Sequence, residues 1–146
     1  ETSWLASGLP VHIFRLSGIY GKGRSSIEEL RKGTAHRIYK EGQVFSRIHV
    51  EDIAQILQAS ISIPNPGRVY NCADDEPAAQ ADVVEYAAKL LGMEPPPIVA
   101  FKDAGLSEMA KSFWAINRRI KNNRIKQELG VELKYPSYKE GLKACL

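Results

Sequence analysis

Long apolar runs are missing from this chain of 146 residues. No stretch approaches the roughly 20 residues a helix needs to cross a bilayer, which excludes a helical span within it. Cysteine is scarce. Cys72 and Cys145 stand far apart with no CxxC or Cys/His spacing, so neither a disulfide framework nor a cysteine-based metal site is expected. Free thiols in a reducing cytoplasm are expected instead. An excess of one charge is absent too: 20 Lys and Arg face 17 Asp and Glu, a net +3 that does not by itself imply nucleic acid. No GxGxxG opens a helix, so no phosphate-binding glycine fingerprint is present. Glu-Thr-Ser-Trp, the N-terminus, has neither Met nor a charged-then-apolar leader pattern, which fits a processed product or a piece of a longer chain.

What is present suits one globular domain with a real core, with 44% hydrophobic and 25% charged residues. The apolar run Val11 to Leu16 reads as a strand and feeds directly into a loop with three glycines, Arg15-Leu-Ser-Gly-Ile-Tyr-Gly-Lys-Gly23. In a parallel α/β protein such a loop at the carboxyl end of a strand is where ligands collect. It comes too early in the chain for the rest of such a sheet to precede it.

Upstream, Thr2 to Ser7 reads as helix closed by Gly8. Ser25 or Ser26 caps a short helix from Ile27 to Arg31 that ends at Gly33. His36 to Tyr39 and Val44 to Val50 read as strands joined by a hairpin-like turn. From Glu51 the apolar residues Ile53, Ile56, Leu57 and Ile61 recur at helical spacing and predict one buried face. Arg68 to Ala73 is a strand, Ala81 to Leu91 a helix ended by Gly92, and Ile98 to Phe101 a strand after a stiff Pro95-Pro-Pro97 link. Helices follow at Leu106 to Ala115 and Asn123 to Leu129, the latter closed by Gly130. The last helix is capped by Ser137, with Glu140 at the capping-box spacing. The order is that of an α/β protein with too few parallel strands to make a satisfactory sheet alone.

Four segments carry a resemblance in order and spacing: RLSGIYGKGRS, SRIHVEDIAQIL, GRVYNCADDEP and NNRIKQELGVELKYPSYKEGL. Together they resemble the C-terminal half of the extended short-chain dehydrogenase/reductases, the NAD-dependent epimerase/dehydratase family, and in particular its atypical members. The resemblance covers nearly the whole chain. It implies a Rossmann-like NAD(P)-binding fold, of which residues 1–146 would be the last parallel strands plus a small mixed α/β substrate-binding lobe. The dinucleotide-binding half, with its glycine fingerprint and a helical Tyr-x-x-x-Lys pair, would lie outside them. No Tyr stands four residues before a Lys on a helix beside the glycine loop, and Glu1 and Trp4 look like the segment that follows such a pair.

The resemblance places Ser17, Gly18 and Ile19 at the nicotinamide end of an NAD or NADP cofactor, where Gly18 lets the main chain approach without a Cβ. The alternative is a strand-to-loop turn that simply needs small residues. Tyr20 lines the same cleft or packs in the core. Arg24 pairs with an anionic substrate group or faces solvent. Arg47 and His49 share one strand face; Arg47 would bind an anion and His49 donate to substrate, unless His49 instead fixes the following helix. Two departures weigh against a nucleotide sugar: Phe45 stands where such enzymes carry Arg, and Lys22 where the family tends to have Pro. Asp74, Asp75 and Glu76 read as turn-formers and helix caps. Arg118 to Lys126 holds five basic residues in nine, without the interleaved aromatics that stack on bases.

The reading is therefore the substrate-binding half of an NAD(P)-dependent epimerase, dehydratase or oxidoreductase. By itself it is expected to bind no cofactor at micromolar concentration and to turn nothing over. Its expected partners are a small substrate, anionic if Arg24 or Arg47 binds it, the missing half, and a second copy through an open sheet edge. Neither nucleic acid, nor a membrane, nor a metal is expected. The alternative is a non-catalytic interaction module that reuses the fold.

Overall fold

Local signals start and stop most of the helices of this computed structural model, which describes residues 1–146. Ser25 caps α2 (Ser26–Arg31) by accepting from the Ile27 N–H, and Ser107 caps α5 (Glu108–Trp114) by accepting from Ala110. At α7 (Tyr138–Lys143) the Ser137–Glu140 capping box forms in both directions. Gly92 and Gly130 take left-handed backbone at the ends of α4 (Gln80–Leu91) and α6 (Asn123–Leu129), the conformation glycine adopts without a Cβ penalty. A one-turn α1 (Thr2–Leu5) opens the chain.

The strands are short and all their pairings are parallel. β1 (Ile13–Leu16) pairs with β5 (Val69–Cys72), β2 (Gly18–Tyr20) with β4 (Arg47–His49), and β3 (Arg37–Tyr39) with β6 (Ile98–Ala100). The hairpin expected between β3 and β4 does not form. A turn is present where Gln43 N–H returns to Lys40 O, but its two strands pair with distant partners instead of each other. β1 and β2 are one strand that changes partner at Ser17, whose N–H bonds to Cys72 O while the Gly18 N–H bonds to Ser46 O. Asp74, leaving β5, donates its N–H to Arg47 O and so ties the two pairs together at this crossing.

Two apolar clusters hold the elements. One joins α2, α4 and α7 through Ile27, Leu30, Val84, Leu142 and Cys145, with the Tyr20 ring among them. The other packs α3 (Val50–Ser62) and α6 on β4 and β5 through Ile48, Ile56, Tyr70, Ile125 and Leu129. Each fully buried Ile or Leu stabilises by about 1.5–3 kcal/mol. The buried face of α3 keeps Ile53 and Ile56 of the set its spacing predicts but not Leu57 and Ile61. Asp52, Ile56 and Ser60 point inward, while Leu57 and Ile61 are 41% and 79% exposed. Asp52 wins the inward position because its carboxylate accepts the backbone N–H groups of Lys134 (2.7 Å) and Tyr135 (3.1 Å), anchoring the segment before α7.

Candidate functional site

The change of partner at Ser17 places that residue at the carboxyl end of β1, beside a cleft of about 510 Å³. Ser17, Gly18, Ile19, Tyr20 and Arg47 line this cleft together. Arg24 and His49 do not line it. Arg24 is exposed and takes part only through its backbone, exchanging hydrogen bonds with Gly21. His49 is buried, and its Nδ1 accepts the Glu51 N–H at 3.2 Å to cap α3. That bond assigns the ring proton to Nε2, which is buried without a partner. The imidazole lies between Tyr20, at 5.2 Å, and Tyr135, at 4.1 Å between centroids. Burial holds its pKa below the ordinary histidine value despite the nearby carboxylates of Glu51 and Asp52.

Most polar groups of the cleft are already committed. Tyr20 donates to Ser137 O at 3.4 Å, and its ring packs over Gly141, where a Cβ would come 2.6 Å from Cζ. Burial, reinforced by the Asp74 charge, holds the Tyr20 phenol protonated well above its usual range. Arg47 directs Nη1 to Phe45 O (2.8 Å) and Ala78 O (3.0 Å). Ser46 Oγ accepts from Ile120 N at 3.1 Å. Gln80 is spent on the backbone of His36 and Ile38. Ser17 Oγ is the exception: it is buried and has no partner.

Aromatic side chains close the other end. Phe45 meets Trp114 edge-on at 4.9 Å, Trp114 is backed by Phe101 at 5.4 Å, and Phe113 stands exposed on the rim. Sequence reasoning marks Phe45 only as a departure and passes over Phe113, Trp114 and Gln80. The Phe113-Trp114 pair is visible in the sequence, but no spacing connects α5 to a glycine loop so far upstream.

The acidic cluster behaves differently from its expected role. None of its members caps a helix: α4 has Ala79 at its N-cap with no side-chain bond. Asp75 ties α6 through Lys126 (2.6 Å) and Asn122 (2.7 Å), and Glu76 binds Lys139 at 2.9 Å. Asp74 is 1% exposed with neither oxygen bonded, and burial raises its pKa to about 7 against the pull of Arg47. Tyr135 and Lys139 do have the Tyr-x-x-x-Lys spacing, but Pro136 separates them and Tyr135 precedes α7. Tyr135 Oη bonds to Glu51 and Lys139 to Glu76, so the two share no site. No group of His, Cys, Asp and Glu is arranged to hold a metal ion, and no helix is long and apolar enough to cross a membrane.

No family model matches the chain. Protein YeeZ of Escherichia coli strain K12 is 31% identical over 137 residues, which cover 91% of this chain and 44% of that protein. The solved structure of a functionally unknown conserved protein from Silicibacter pomeroyi is 56% identical, with a TM-score of 0.94 over 99% of this chain and 51% of that one. The dTDP-glucose 4,6-dehydratase of Bacillus anthracis, solved with NAD, is 23% identical with a TM-score of 0.71, over 98% of this chain and 45% of that one. The fold is that of the extended short-chain dehydrogenase/reductases. Further epimerases and dehydratases match with TM-scores between 0.64 and 0.75. The mixed α/β, parallel-stranded architecture expected from the sequence is therefore present. The chain spans about half the length of the relatives it matches.

Proposed function

We propose that these residues form the substrate side of the active site of an NAD(P)-dependent epimerase, dehydratase or oxidoreductase. The observation that carries this reading is Ser17. Ser17 lines a cleft at the carboxyl end of a parallel strand, and its hydroxyl is buried behind that lining without a partner. An orphaned buried hydroxyl costs on the order of 1–3 kcal/mol, which a ligand that bonds to it returns.

The residues present fit the nicotinamide end of the cofactor. A carboxamide offers both donors and an acceptor, and a serine hydroxyl can meet either. Gly18 leaves main chain bare beside it, 37% of the Ile19 surface remains exposed, and the N–H bonds of Ser17 and Gly18 to Cys72 and Ser46 hold that wall rigid. When bound, the cofactor supplies a hydride donor or acceptor. The chain's own residues supply binding and orientation rather than proton transfer: Tyr20 stays protonated and its hydroxyl is turned to Ser137 O, and His49 is walled in by two tyrosines. Proton chemistry and the dinucleotide phosphates fall to a further half of the kind the longer relatives have room for.

Calorimetric titration with NADH and NADPH tests this. Residues 1–146 are expected to show no micromolar binding. Joined to the remaining half of the Silicibacter pomeroyi protein, they are expected to bind one cofactor, with Ser17→Ala weakening it about tenfold. Micromolar binding by residues 1–146 alone, or a Ser17→Ala chimera that binds like its parent, would overturn the assignment.

A further inference from the structure

The cleft is divided chemically. Its Ser17 end carries the unpartnered hydroxyl, and its other end is walled by Phe45, Phe113 and Trp114. We infer that this aromatic end binds an uncharged, ring-bearing substrate, and not a sugar joined to a nucleoside diphosphate. The inference rests on the cofactor reading above, because it gives Ser17 to the nicotinamide. Once Ser17 is assigned, no neutral polar side chain of the cleft is free: Tyr20, Ser46 and Gln80 are all bonded within the fold.

Charge argues the same way. Arg47 is the only charged residue lining the cleft, and its Nη1 is committed to two backbone carbonyls. A diphosphate carries two negative charges and is held by several converging donors, typically bidentate arginine pairs. The second arginine that an anionic substrate would need, Arg24, does not line the cleft. Burying a diphosphate against a single guanidinium, with one nitrogen already given to two carbonyls, and three aromatic rings would leave charge without compensation. A flat or cyclic carbonyl or hydroxyl compound faces no such cost. It would lie against the half-buried Phe45 ring and the exposed Phe113 on the rim, with the buried Trp114 packed edge-on behind Phe45 at 4.9 Å. The volume of about 510 Å³ falls in the range of small-molecule sites and holds a nicotinamide and such a ring side by side.

The test uses the fluorescence of Trp114 in residues 1–146 carrying Trp4→Phe, since Trp4 is 63% exposed and would add an unrelated signal. Acetophenone and cyclohexanone are the ring-bearing probes, and UDP-glucose is the nucleoside-diphosphate probe. Acetophenone is expected to shift Trp114 emission saturably at millimolar concentration, cyclohexanone more weakly, and UDP-glucose not at all. Phe113→Ala is expected to weaken acetophenone binding about two- to tenfold. Met109→Ala, similarly exposed on α5 but outside the cleft, should leave it unchanged. Both changed side chains are on the surface, so circular dichroism should report the parent fold in each. Saturable UDP-glucose binding at lower concentration than acetophenone, or acetophenone binding indifferent to Phe113→Ala, would overturn the inference. Neither result depends on NADH, so the cofactor reading stands or falls separately in the chimera.

Discussion

Asp74→Asn should stabilise this fold, and by an amount that depends on pH. The Asp74 carboxyl is sealed at 1% exposure with no hydrogen bond of good geometry to either oxygen, only the Glu76 N–H nearby, and its pKa rises from 3.8 to about 7. Burial drives that rise. The nearby Arg47 charge and the backbone N–H of Glu76 oppose it, and the charges of Asp75 and Glu76 add to it. A carboxyl whose folded pKa lies above its unfolded value gives up its proton first in the unfolded chain. Stability is therefore unaffected below pH 3.8, falls as pH rises from there to about 7, and is flat above that. The gap between 3.8 and about 7 corresponds to a ceiling of ~4 kcal/mol. Asparagine has nearly the same shape and carries no charge, so the penalty disappears. Urea unfolding at pH 4.5, 6, 7 and 8, followed by far-UV circular dichroism, should show the variant's advantage growing from less than ~1 kcal/mol to several kcal/mol. Taking the difference between variant and parent at each pH cancels the other titrating groups. A constant advantage across the series, or an Asp74→Asn protein less stable than its parent at pH 8, would refute a penalty for ionising Asp74 in the fold. Either outcome would mean that ionised Asp74 is compensated by Arg47 within the fold.

Three further outcomes follow from single contacts. Asp52→Ala leaves the buried N–H of Tyr135 and the part-buried N–H of Lys134 without an acceptor, and should cost about 2–3 kcal/mol in urea unfolding. His49→Ala removes the cap of α3 and the ring between Tyr20 and Tyr135, and should lower stability by about 2 kcal/mol, seen as a reduced Tm. Gly141→Ala drives a methyl group into the buried Tyr20 ring, so a loss of about 1–3 kcal/mol is expected, with altered Trp114 emission as Tyr20 moves in the cleft wall. A Gly141→Ala variant as stable as its parent would show that the ring has room to shift.

The order of helices and strands is legible because it rests on signals that act over a few residues. Ser25, Ser137 with Glu140, Gly92 and Gly130 mark helix ends through bonds and backbone conformations available to any chain with those residues. The loop from Arg15 to Gly23 is recognisable as a binding loop for the same reason: a β-rich run opening into small residues. From sequence, His49 admits two roles, a substrate donor or a fixer of the next helix, and the structure shows the helix-capping bond. Arg24 and Arg47 are each an anion-binding candidate in the sequence, but only Arg47 lines the cleft.

Other features depend on partners that no local pattern names. The residues around Gly42 turn as a hairpin would, yet β3 and β4 pair with β6 and β2, because strand pairing is settled by what else the sheets can bury. The apolar spacing of α3 suggests a face through Leu57 and Ile61, and a distant loop with two unbonded N–H groups draws Asp52 inward instead. Phe45 and Trp114 become neighbours only once β4 and α5 are docked. By itself, then, the sequence determined the helix limits, the α/β class and the glycine loop, since their energetics are local. Tertiary structure alone decided that Ser17 would lack a partner, that Asp74 would be sealed, and that aromatic rings would wall the cleft. Desolvation and convergence in space exist only in the packed chain.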